Sequence, residues 1–360
     1  MRLRAAGHEV VVATGDRWQA ALASEGLAGR VLPLLGADPR DGDFGFRLWG
    51  RGAQMAVPLA AELRGWQPDA VVSDTLTVCG GFAAGLLGVP WAELLPHPLQ
   101  DLPATGPPQG LGLQAGRGPL GRARDAVLRA LTQRSLDAAA RQRAAALAGI
   151  GLPPALAPAV RLIATLPALE RQSRPDAVVV GPLEWDAATT ELPPPPGEAP
   201  LVLLSPTTAS GAAPDALLGA ALAGLGGVRP GGLRLACTRA EPATGLPPWA
   251  VVGPGRQAPL LDAATVVVCG GGGGILGKAL RRGLPLVVLP GGGDQRENAD
   301  RVRRLGAGVV LDPRRVTPAA LSAAVGEVLT HPAYAWSARA AARGAGADPV
   351  AVLETAFSQR

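Results

Sequence analysis

Two glycine-rich breaks, each running straight into a helical pattern, are the places where this chain could hold an anion. Gly270, Gly271, Gly272, Gly273 and Gly274 interrupt an apolar run that begins at Val266, and Gly291, Gly292 and Gly293 interrupt another that begins at Leu286. Residues without side chains let a bulky anionic ligand approach the main chain, and the helix that follows offers free N–H groups and a positive dipole. That chemistry suits phosphate oxygens. The second break continues into Asp294, Gln295, Glu297 and Asn298, carboxylates and amides that suit hydroxyl groups better than phosphates. A diphosphate on one loop and a polyol on the next describe a nucleotide sugar.

The elements needed to position these loops can be read around them. Val266–Val268 and Leu286–Leu289 are short, fully apolar runs of the kind that form buried parallel strands. Ile275–Arg282 has a helical pattern stopped at Gly283, with Pro285 just beyond. Further strands are expected at 201–204, 233–237, 250–252 and 308–311. In the first half, strands are expected at 9–13, 30–35, 70–73, 91–95, 162–165 and 178–180. Helices are expected at 49–63, 76–87 and 122–147, with a Gly- and Pro-rich loop at 102–120. Met1–Ala6 reads as the last turn of a helix capped by Gly7, and His8 at its stop reads as structural. Pro193 to Pro196 can join neither a helix nor a central strand and form a stiff spacer. Alternating β and α elements on both sides of it predict two parallel sheets with helices on both faces. Ligands bind such sheets at the C-terminal strand edge.

Composition narrows the function. A chain of 360 residues can build two domains with full cores. Hydrophobic residues make up 48% and charged residues 18%, as expected of a globular α/β protein rather than a disordered one. The net charge of +5 is spread along the chain, and Arg281-Arg282, Arg303-Arg304 and Arg314-Arg315 are pairs rather than a block. They read as solvated helix faces. Four Phe, seven Trp and one Tyr give no stacking array, which argues against nucleic acid. Cys79, Cys237 and Cys269 are odd in number and far apart, which excludes a disulfide framework or a CxxC metal site and implies a reducing, cytoplasmic setting. The absence of an uninterrupted apolar run of spanning length predicts no transmembrane segment.

The segment from Val266 to Val302 resembles the donor-binding region of family 1 glycosyltransferases with the GT-B fold, closest to the actinobacterial branch that glycosylates natural products and lipids. Ala279, Leu280, Gly283, Pro285, Pro290, Asp294, Gln295, Asn298, Ala299, Arg301 and Val302 all match that family's motifs. PDAVVSD (68–74), LLGVPWAEL (86–94), VVVGPL (178–183) and PPWAVVGPGRQAPLLDAATVVV (247–268) extend the likeness over nearly the whole chain. The resemblance implies two Rossmann-like doubly wound domains facing across a cleft. Their expected limits are 1–185 for the acceptor domain, 186–200 for a Pro-rich linker and 201–335 for the donor domain. A helical segment at 336–360 is expected to pack back towards the first domain.

The resemblance also implies an activity. It is transfer of a sugar from a UDP- or dTDP-linked donor to a small hydrophobic acceptor, with inversion, without metal or cofactor; a homodimer is left open. The residues implied on the donor are Ser205, Thr207, Gln257, Gly270–Gly274, Gly293, Asp294, Gln295 and Asn298. Ser205 and Thr207 would serve equally as ordinary N-caps, and Glu297 and Asn298 as a helix start. Three departures stand out. The family's pyrophosphate-binding His falls at Gly270 or Cys269. The ribose-binding carboxylate of its plant-type relatives falls at Lys278, which tilts the donor towards a dTDP-sugar or else implies weakened donor binding. Its first strand and Gly-His loop, which carries the usual base, have no counterpart, so the chain reads as a truncated frame or a fragment. Asp74 and His97 are the local candidates for that base, although Asp74 reads more readily as structural or as a partner of the missing base and His97, between two prolines, as a loop residue. Three alternatives stay open: a catalytically impaired homologue or helper subunit that keeps only nucleotide binding, a nucleotide-sugar epimerase, and, less favoured, a dinucleotide-dependent oxidoreductase.

Overall fold

A computed structural model describes residues 1–186, 190–206, 214–226, 232–239, 241–344 and 346–358. The N-terminal half contains α1 (Arg2–Ala5), β1 (Val11–Thr14), α2 (Gln19–Ser24), β2 (Ala28–Val31), α3 (Arg51–Arg64), β3 (Val71–Asp74), α4 (Cys79–Leu87), β4 (Trp91–Leu95), the long α5 (Gly118–Ala148), β5 (Val160–Ile163) and β6 (Ala177–Val179). The C-terminal half contains β7 (Leu201–Ser205), α6 (Pro214–Leu225), β8 (Arg234–Thr238), β9 (Ala250–Gly253), α7 (Gln257–Ala263), β10 (Val266–Cys269), α8 (Gly273–Arg281), β11 (Leu286–Val288), α9 (Gln295–Leu305) and β12 (Gly308–Val310). Three helices follow: α10 (Pro318–Thr330), α11 (Pro332–Ala342) and α12 (Pro349–Ser358).

Every strand pairing is parallel. The C-terminal sheet runs β12-β11-β10-β7-β8-β9. Its chain path moves outward from β7 to β9, then restarts at β10 and moves the other way. The reversal between β7 and β10 is the switch point at which doubly wound sheets open a binding crevice. β7, β10 and β11 are buried along their whole length, because helices cover both faces of the sheet. Val268, Leu204 and Leu235 pack under α6 and α10 on one face, while Val267, Leu203 and Val288 pack under α8, α9 and α11 on the other. The N-terminal half is split: β3-β4-β5-β6 form one sheet and β1-β2 a separate pair. Helix α12 leaves the C-terminal sheet and lays Leu353 against Ala92, Leu162 and Val180 of the N-terminal one.

The structure shifts several expected boundaries. The strand expected at 30–35 lies at Ala28–Val31, because its partner β1 sets the register (Val11 opposite Ala28) and Pro33 cannot donate to a ladder. The helix expected from residue 76 begins at Cys79, after a turn held by Asp74. The helical segment expected at 336–360 is divided, with α11 ending at Ala342 and α12 beginning at Pro349.

All three cysteines are buried and unpaired. Burial pushes the Cys237 and Cys269 thiols up to about 12 and raises that of Cys79. Thiolate is the reactive form, so the native protein at pH 8 should give no fast reaction with Ellman's reagent. All three thiols should appear only on denaturation. Fast labelling of the native protein would contradict this packing.

Candidate functional site

The two glycine breaks sit side by side at the C-terminal ends of β10 and β11. Gly270 leaves β10, Gly271 turns with φ +85°, and Gly272 caps α8 in extended conformation. Asn298, on the first turn of α9, ties the two loops together. Its Nδ2 donates to the Gly271 carbonyl (3.0 Å) and to Asp294 Oδ2 (3.1 Å). Gln295 is buried, and its Oε1 accepts from the Gly291 N–H at 2.9 Å. Asp294 is half-buried at the start of α9 and Gly293 stands before it with φ +60°. The sequence expectation had both Asp294 and Gln295 facing sugar hydroxyls. The structure gives the Gln295 carbonyl oxygen a different task, bracing the loop on which Asp294 stands.

Gly271 tolerates no side chain. A Cβ there would lie 2.9 Å from Val288 Cγ1 and 3.2 Å from the Gln295 carbonyl oxygen. The left-handed backbone adds about 1–2 kcal/mol and overpacking about 1–3 kcal/mol. Gly271→Ala should therefore destabilise the protein by about 2–5 kcal/mol, read from chemical denaturation, and should weaken nucleotide binding in calorimetry. A wild-type melt with wild-type binding would show that this turn does not shape the site.

A second cluster closes the other side of the switch point. Gln257, the first residue of α7, donates through Nε2 to Ser205 Oγ (3.3 Å) and Thr238 Oγ1 (3.2 Å), and its Oε1 accepts from Lys278 Nζ (3.2 Å). The Asp186 carboxylate caps α7 by accepting from the Gln257 and Ala258 amides at 2.6 and 3.0 Å. Ser205, Gln257 and Lys278 are thus brought together, joined by Thr238 and Asp186, which nothing in the sequence singled out. Thr207 lies outside the described residues. Cys269 is the last residue of β10 and fully buried, so Gly270 is the residue at the strand exit.

Asp74 and His97 are not brought together. Asp74 Oδ1 accepts from the Leu76 amide at 2.8 Å and borders a cavity of about 350 Å³ in the N-terminal half, lined also by Trp49, Phe82, Trp91 and Arg143. His97 follows β4. Its Nδ1 lies 2.9 Å from the Pro98 carbonyl, a contact that requires Nδ1–H and leaves Nε2 as the acceptor in the neutral ring. The neighbouring Pro96 carbonyl would stand 2.7 Å from a Cβ on Gly273. The loop bearing His97 therefore abuts the start of α8.

Helix α9 also joins the two halves. Arg301 has a side chain only 1% exposed. It donates to the Leu169 and Leu99 carbonyls and to Gln109 Oε1 (2.6 Å), while its Nε lies 3.2 Å from Glu297 Oε1, an ion-pair distance off the hydrogen-bonding direction. Gln114 donates to Asp300 Oδ1 at 3.0 Å. Roofed by residues 111–114, a crevice of about 900 Å³ crosses the strand ends from Pro206 and Gly270 to Arg314. Among the described residues, no His, Cys, Asp and Glu cluster could hold a metal ion, and no helix is long and apolar enough to cross a membrane.

Two parallel α/β halves with this switch-point crevice are the GT-B fold of glycosyltransferases. Solved structures bear this out as a likeness of fold. The glycosyltransferase of kitacinnamycin superposes with a TM-score of 0.73 at 23% identity, over 99% of this chain and 93% of that one. Spinosyn rhamnosyltransferase SpnG complexed with thymidine diphosphate gives 0.68 at 22%, over 98% and 93%. Residues 256–354 match the family described as erythromycin biosynthesis protein CIII-like, C-terminal domain. Only that segment matches the family model, and the chain as a whole is similar to family 1 natural-product glycosyltransferases. The 4'-demethylrebeccamycin synthase of Lentzea aerocolonigenes is 29% identical over 84% of this chain and 77% of its own length. A PGL/p-HBAD biosynthesis glycosyltransferase of Mycobacterium tuberculosis is 37% identical over 95 residues, which is 26% of this chain and 22% of that protein. The chain's matched stretch thus spans about a fifth of the mycobacterial relative. Its homologues and structural neighbours are glycosyltransferases.

Proposed function

We propose that the protein moves a sugar from a dTDP- or UDP-linked donor to a small apolar alcohol, phenol or lipid, with inversion. The observation that carries this reading is the Asn298 bridge, which fixes both glycine loops at the switch point and leaves the start of α8 beside the crevice. The free amides of Gly272–Gly274 and the α8 dipole would stabilise the departing diphosphate. Asp294 would hold sugar hydroxyls, and Gln257 with Lys278 would border the nucleoside. The acceptor would approach over the loop after β4, whose Leu111 lines the crevice. His97 would take the acceptor proton through Nε2. The thymidine diphosphate bound by SpnG supports a dTDP donor by analogy.

Calorimetry with dTDP and UDP tests the reading. At least one should bind with a dissociation constant of about 1 μM to 1 mM, the range of ordinary substrate KM values. An acceptor panel with the matching sugar donor should then release the nucleoside diphosphate, and product NMR should show the inverted anomer. Absence of binding by either nucleotide would sink the reading. Binding without any transfer would favour the helper-subunit alternative.

A further inference from the structure

We propose that the sugar this crevice accepts carries an anionic substituent, a carboxylate or a phosphate, held by Arg314 and Arg296. The inference rests on the nucleotide-sugar reading and adds the class of sugar.

The crevice is laid out along a ruler. It is lined at the ends of β10 by Gly270, of β11 by Gly291 and Gly292, and of β12 by Asp312 and Arg314. These three strands are consecutive neighbours in the sheet. At a spacing of about 4.8 Å per strand, the Arg314 end lies on the order of 10 Å from the phosphate end. A diphosphate over β10 places its sugar over β11 and the far substituent of that sugar over β12.

Charge is uneven along this line. Asp300 is taken up by Arg303, Arg304 and Gln114. Asp312 accepts from the Arg314 main-chain amide, 2.9 Å away. Arg296 spends its Nε on the Gly291 carbonyl at 3.2 Å and has no carboxylate within ion-pair distance among the described residues. The Arg314 guanidinium has no hydrogen-bond or ion-pair partner among them. Gly112 packs directly on the Arg296 main chain, where a Cβ would be 2.9 Å from Arg296 Cβ. A neutral hexose would leave both guanidinium groups at the crevice with no carboxylate within ion-pair distance among the described residues, the Asp312 carboxylate beside them being turned to a main-chain amide. A carboxylate or phosphate on the sugar would receive charge-assisted, forked hydrogen bonds from them.

The test compares UDP, UDP-glucose and UDP-glucuronate by calorimetry on the full chain and on the Arg296→Gln/Arg314→Gln double variant, with inorganic phosphate as competitor. UDP-glucuronate should bind the wild type at least about tenfold more tightly than UDP-glucose, the discrimination one charge-assisted bond supplies. The gap should shrink with added salt and close in the double variant. Arg314→Gln alone, on an exposed side chain, guards against misfolding of the double variant and should remove part of the gap. Equal or tighter binding of UDP-glucose by the wild type overturns the proposal. So does phosphate competition that depends on the arginines when the two sugars are not discriminated, since that marks a site for free anion. If UDP and UDP-glucose bind, the nucleotide-sugar reading stands whichever way the sugar comparison falls. If dTDP binds and no UDP species does, the same comparison is made with dTDP-glucose and dTDP-glucuronate; if neither UDP nor dTDP nor any of these sugar nucleotides binds, that reading fails and the proposal falls with it.

Discussion

His97→Asn should lower sugar transfer by about 10²- to 10⁴-fold, the usual contribution of a positioned general base, while dTDP or UDP affinity changes less than threefold. Asparagine keeps a side-chain N–H near the position of Nδ1, so the bond to the Pro98 carbonyl can survive. What disappears is the Nε2 lone pair. The loss should therefore fall on kcat rather than on nucleotide binding. Asp74→Asn is the contrasting variant. Its remaining Oδ1 can still cap the Leu76 amide, so stability should hold and transfer should fall by less than tenfold. A fully active His97→Asn enzyme, or an Asp74→Asn enzyme disabled to the same degree, would remove His97 from the mechanism.

The second large effect is expected at Arg301. Its guanidinium is buried against Glu297, a side chain only 10% exposed, and against carbonyls from residues 99 and 169 on the other half of the molecule. Burial pulls its pKa down, and the nearby Glu297 and Glu170 pull it back up; an arginine stays charged through such a shift. Arg301→Met removes one member of a buried pair and strands the carboxylate. That should cost about 3–5 kcal/mol and lower Tm by on the order of 10 °C. Arg301→Lys keeps the charge but not the planar fork that reaches several acceptors at once, and should recover only part of the loss. Adding Glu297→Gln to Arg301→Met should restore stability relative to the single variant, because no buried charge is left alone. Strict additivity of the two substitutions would show that the pair is not coupled.

How legible this was in the sequence depended on range. In the C-terminal half, strands such as Ala250–Gly253 and Leu286–Val288 fall within one residue of expectation, because a strand buried on both faces is an unbroken apolar run. In the N-terminal half, Leu32, Leu34 and Leu35 read as strand yet Leu34 is 89% exposed, since only pairing with Val11–Thr14 decides the register. The glycine loops announce themselves by composition. The bridge from Asn298 to Gly271 does not, because residues 27 positions apart meet only once β10 and β11 are neighbours. Polar residues on α9 read as a solvated face or a helix start. In the folded chain Glu297, Asp300 and Arg301 are buried ties to the loop after β4, and no pattern within one helix could reveal a partner so far away. Arg314 read as half of a solvated pair, and its place at the crevice follows from β12 lying next to β11.

The split sheet of the N-terminal half has a mechanical consequence. Among the described residues β1 bonds only to β2, and β3 bonds only to β4, so each keeps one side of its backbone without a ladder there. A two-stranded ribbon is marginal by itself. Its amides at Val11–Thr14 should exchange with deuterated solvent well before those of β7 or β10, which lie inside a six-stranded ladder. Fraying of this pair would begin at that seam.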